Sequence, residues 1–66
     1  MTEEKLKQIT NRYNTERSDF SFPTISASYE GVKSILDMNP SWEKLEDDKI
    51  VHKIAVFLNN LAFGWN

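Results

Sequence analysis

The chain has no cysteine, one histidine, two glycines and two prolines in 66 residues. No disulfide can staple it, and the lack of thiols fits a reducing compartment. His52 has neither a second histidine nor a cysteine with which to share a metal. Gly31 and Gly64 are too few and too far apart for a glycine-rich phosphate loop. The longest uninterrupted apolar run, Ile54 to Leu58, falls far short of the roughly 20 residues of a membrane span. Residues 1–18 are polar and hold no stretch that reads as a secretory signal. Asn39 is spoiled as a glycosylation acceptor by Pro40. The resulting expectation is a soluble, cytoplasmic protein with no cofactor and no metal.

Basic charge is also missing. Eight Lys and Arg face ten Asp and Glu, for a net charge of −2. A nucleic-acid binder draws most of its affinity from phosphate contacts and usually carries a basic stripe. The charge is uneven instead. Residues 1–29 balance, residues 30–48 are locally acidic, and Lys49 and Lys53 leave residues 49–66 basic. A helix-turn-helix reading across Asn39-Pro40 would push residues 41–48, with four acids and one lysine, against phosphate. That reading fails on charge. A small transcriptional regulator touching DNA through Lys5, Lys7, Arg12 and Arg17 stays only as an alternative, because Glu3, Glu4 and Glu16 interleave with those cations. No helix combines a basic polar face with a broad apolar one, so membrane-surface binding is not expected. Lysine outnumbers arginine, and asparagine and isoleucine are frequent, a usage common in AT-rich bacterial and phage genomes.

What remains is enough for a core. Hydrophobic residues make up 39 % and charged residues 27 %, which is not a disordered composition. A chain this short buries only about 60 % of the surface that its unfolded form exposes. Stability must come from helix packing, from a partner, or from both. Residues 1–66 are expected to form one domain, an all-α bundle of three to four small helices.

Thr2 is placed to cap a first helix running to about residue 16, with Leu6, Ile9 and Tyr13 as its apolar stripe. Glu3–Lys7 and Arg12–Glu16 are spaced as i,i+4 pairs. Residues 18–27 alternate around Phe20 and Phe22 but contain Pro23, and no second strand is available. A loop pinned by two buried phenylalanines is expected there, with a short strand or hairpin (an α+β chain) as the alternative. Ser26 or Ser28 caps a second helix to about Met38, with Tyr29, Val32, Ile35 and Leu36 on one face. Gly31 within it costs about 1 kcal/mol relative to alanine, which suggests the close approach of another backbone, with mere tolerance as the alternative. Asn39-Pro40 ends that helix and starts the next. Ile50, Val51, Ile54, Ala55, Phe57, Leu58, Leu61 and Ala62 form a broad apolar arc, and Gly64 supplies a left-handed stop.

One question decides the function reading. If residues 40–63 form a single helix, Trp42, Leu45, Val56 and Phe63 make a second apolar stripe on the outer face opposite the arc, with Lys49, His52, Asn59 and Asn60 around them. If the chain breaks near Glu46-Asp47-Asp48, Trp42 and Leu45 rejoin the core. In either case Val56, Phe63 and Trp65 are candidates for exposed apolar surface. We expect partner contacts at Trp42, Val56, Phe63 and Trp65, with Glu43, Glu46 and Asp47 as a polar rim. The acids lack the spacing of a calcium loop. No nucleophile–base–orienter set surrounds His52, so no enzyme is expected. The expected function is a small protein–protein interaction module acting stoichiometrically, as an inhibitor, adaptor or small subunit. Homo-oligomerisation through the same surface is the alternative.

Overall fold

A computed structural model describes residues 1–64, and within them the fold is all-helical with no strand. Trp65 lies outside the described residues. Three helices, α1 (Glu3–Glu16), α2 (Tyr29–Met38) and α3 (Asp47–Phe63), carry the fold. Two 3-10 turns, Arg17–Asp19 and Pro40–Lys44, join them. Helix α1 packs against both α2 and α3, whereas α2 and α3 approach each other much less closely. The core is therefore two-sided about α1. Leu6, Ile9 and Tyr13 meet Val32, Ile35 and Leu36 of α2 and Ile50, Val51, Ile54, Ala55 and Leu58 of α3.

The helix ends follow from local chemistry. The Thr2 hydroxyl accepts from the Lys5 amide at 3.2 Å, and Glu3 and Glu4 sit in the positive first turn. Ser28, of the two candidate caps, accepts from the Gly31 amide at 3.0 Å. Asn39 closes α2, its amide and its Nδ2 reaching the carbonyls of Leu36 and Ile35. Pro40 then opens the next turn, where its missing N–H is no loss. The chain does break between Trp42 and α3. Helix α3 begins at Asp47, with Glu46 as the extended residue before it. Gly64 takes the left-handed conformation, φ 68°, and its amide bonds the Asn60 carbonyl.

Residues 20–28 show neither strand nor fully buried phenylalanines. Phe20 and Phe22 are half-buried and stack on each other, ring centroids 5.5 Å apart, beside His52. Alternate residues of extended backbone point the same way, which accounts for the alternation without a sheet. Helix side chains do the work of a strand partner. Asn59 Nδ2 donates to the Pro23 carbonyl at 2.7 Å and the Tyr13 hydroxyl to that of Ile25 at 2.5 Å. Arg17 reaches the Thr24 carbonyl, and Thr24 returns a bond to the Arg17 carbonyl. The Asn14 amide takes both backbone groups of Ala27, at 2.9 and 2.7 Å.

Three expectations are corrected. Leu61 and Ala62, assigned to the core arc, are exposed, Leu61 at 72 %. Asn59, assigned to the outer face, is buried. Both follow from the loop, which folds back and covers α3 on the Asn59 side. Gly31 has no second backbone against it; a β-carbon there would meet only the cap hydroxyl of Ser28, at 3.2 Å.

Candidate functional site

The loose contact between α2 and α3 leaves one side of the bundle open. A groove of about 560 Å³ runs along it. One wall is low, built from the small residues Ala27, Ser28, Gly31 and Ser34. The other is apolar and carries Phe57, Leu58 and Leu61 of α3. Ile35 and Met38 complete it from α2, one turn apart on the same face. Met38 is 62 % exposed, so the apolar surface continues outward past the groove edge.

Phe57 links this groove to two neighbours. A shallow depression holds Phe57, Asn60 and Leu61. Beyond it lies a hollow of about 310 Å³ between Trp42, His52, Lys53, Val56, Phe57 and Asn60. The Lys53 ammonium sits 5.6 Å from the Trp42 ring centroid, a cation–π placement. Joined through Phe57, the three depressions form a mainly apolar strip from Trp42 of the 3-10 turn to Leu61 of α3.

Trp42 and Val56, two of the sequence-derived contact residues, meet in the hollow. Trp42 is half-buried and packs against the core, so it is a wall of the hollow more than a projecting anchor. Val56 is 37 % exposed. Phe63 is exposed too, but it lines none of the three depressions. Trp65 lies outside the described residues. Met38, Phe57 and Leu61 were missed. Met38 falls three residues after Ile35 on an otherwise apolar face, a spacing visible in the sequence. Leu61 carried no such mark, because its place on the arc is apolar whether covered or not.

The acids are mostly committed within the chain. Asp47 takes Lys5 at 2.6 and 2.8 Å. Asp48 pairs with Arg12, which also holds Glu16 at 3.0 Å. Lys5 and Arg12 are seven residues apart on one face of α1, so both reach the first turn of α3. The bonds to Glu16, then Asp48, raise the Arg12 pKa still further above its ordinary value. Glu43 pairs with the Met1 amino group. Glu46 is exposed and makes no ion pair with a described residue.

Among the described residues no cluster of three or more His, Cys, Asp or Glu is placed to hold a metal. His52 lies against Phe20 and Phe22, centroids 5.7 and 6.2 Å away. Among the described residues no helix is long and apolar enough to cross a membrane. No family model, no curated protein and no solved structure matches the chain.

Proposed function

We propose that this chain is a small protein–protein interaction module that binds its target stoichiometrically, as an inhibitor, adaptor or small subunit. The open α2–α3 side is its docking surface. The observation that carries this reading is the mainly apolar strip, with Met38 and Leu61 projecting at 62 % and 72 % exposure. Contiguous exposed apolar surface rimmed by polar residues is the kind of surface that marks interaction sites. Met38, Val56, Phe57 and Leu61 are the contacts, and Trp42 closes one end.

The α1 cations on which the DNA alternative rests have partners within the chain, which favours the protein-binding reading over it. Lys5, Lys7 and Arg12 are held by Asp47, Glu3 and the Glu16–Asp48 pair, and Arg17 turns to the Thr24 carbonyl. Self-association keeps one argument: low and projecting residues adjoin in the same patch, as a two-fold contact requires.

The test is affinity capture from the native host lysate, with and without nuclease, using the wild-type chain and Leu61→Glu. The expected result is one protein at near-equal stoichiometry, insensitive to nuclease and lost with the variant, while the variant's thermal melt is unchanged. Retention of that protein by Leu61→Glu would remove the groove from the reading. Recovery of the bait alone would move the assignment to self-association, read as mass against concentration.

A further inference from the structure

We infer that the groove's occupant is an acidic amphipathic helix of another protein, its carboxylates directed to the Trp42 end and its apolar residues to the Leu61 end. The inference rests on the docking reading above and adds the chemistry of the partner.

Shape argues for a helix. From His52 to Leu61 the strip follows α3 for about 14 Å, at 1.5 Å per residue, or two and a half turns of a docked helix. The low wall at Ala27, Gly31 and Ser34 admits a backbone at close range. Apolar side chains at i, i+3 or i+4, and i+7 would then fall between α2 and α3.

Charge argues for acid. No acidic side chain lines any of the three depressions, and Lys53 is the one lysine or arginine that does. Lys49 lies one turn before Lys53 and is exposed like it. Neither makes an ion pair with a described residue. The carboxylates that give residues 43–48 their acidic look in the sequence are turned elsewhere: Asp47 and Asp48 to Lys5 and Arg12 of α1, and Glu43 to the amino group. In the lining of the Trp42 hollow Lys53 is thus the one lysine, arginine or carboxylate, with Lys49 one turn behind it on α3. A basic peptide meets repulsion there, whereas an acidic one is steered in and gains pairs beside an apolar floor.

The probe is a random 16-residue peptide display library, selected on the full chain at neutral pH and low salt, with Leu61→Glu as the counter-selection target. Peptides with helical apolar spacing and an excess of Asp and Glu should be enriched. A synthetic peptide of that kind should lose about three- to tenfold in affinity on Lys53→Glu. It should also weaken as salt rises and leave both variants' helical circular dichroism unchanged. Enriched peptides that are neutral or basic, yet fail on Leu61→Glu, would overturn the acidic partner and leave the groove reading standing. No enrichment, or enrichment indifferent to Leu61→Glu, would overturn both. A concentration-dependent doubling of mass that Leu61→Glu abolishes would make a second copy the occupant and overturn the inference.

Discussion

Asn59 stands in the apolar half of α3 and is only 5 % exposed. Its amide satisfies the Pro23 carbonyl, which has no strand to bond. Asn59→Ala removes that bond, and a hydrogen bond of this kind contributes about 0.5–1.5 kcal/mol net. Alanine's better helix propensity returns only about 0.5 kcal/mol. The urea midpoint should fall with the slope of the transition unchanged. Tyr13 is buried and bonded to the Ile25 carbonyl. Burial raises its phenol pKa from the ordinary value of 10.0, against the opposing charge of Arg17. The folded state therefore favours the neutral phenol. That contribution is complete below about pH 10, the unfolded value, and is lost as pH rises through the folded one. Tyr13→Phe should cost about 1 kcal/mol at neutral pH, and the gap between the two proteins should narrow above pH 10. A gap that widened there would contradict the assignment. Tyr13 was legible as core from its spacing after Leu6 and Ile9. Asn59 was not, because only the returning loop makes an asparagine the better residue at that place.

At the scale of the element, caps and breaks were the readable part. Thr2, Ser28, Asn39-Pro40 and Gly64 each end or begin a helix for reasons contained within four residues. The extent of covered surface was not readable, because an arc of apolar residues does not state how far its neighbours reach. Leu61 lies past the Asn59 contact with the loop and so stays in the open. Gly31 was read as a backbone crossing and is instead tied to its own cap. Gly31→Ala should gain little in the wild type. Its β-carbon presses the Ser28 hydroxyl at 3.2 Å, and the cap weakens as helix propensity improves. Ser28→Ala should cost about 1 kcal/mol. With the hydroxyl gone, Gly31→Ala should stabilise by up to about 1 kcal/mol. A double-mutant cycle by chemical denaturation checks this, and strict additivity would show that the two positions are independent.

Across the whole molecule, a three-helix bundle with α1 at its centre explains why the apolar inventory exceeds what the fold consumes. Substitutions should divide accordingly. Ile54→Ala, at a fully buried site, should cost about 2–5 kcal/mol. Leu61→Glu and Met38→Glu should stay within about 0.5 kcal/mol of the parent. Thermal melts of the three variants separate core from groove, and a melted Leu61→Glu would return that residue to the core. The sequence suggests surplus apolar surface through Val56 and Phe63 whether or not the last helix is continuous, but it does not say how far the other helices cover α3. The open side between α2 and α3 moves the centre of that surplus toward Met38, Phe57 and Leu61.

The segment after α1 is fastened by its carbonyls. Pro23, Thr24, Ile25 and Ala27 all accept from side chains, yet among the described residues the amides of Phe22, Thr24, Ile25 and Ser26 donate to no protein group. Ala27 alone of residues 22–27 has its amide engaged, by Asn14. In heavy water those four amides should take up deuterium almost as quickly as a free peptide, while Ala27 and the interiors of α1 and α3 hold their protium. This stretch would then pass for unfolded by exchange and for rigid by the chemical shifts of its carbonyl carbons.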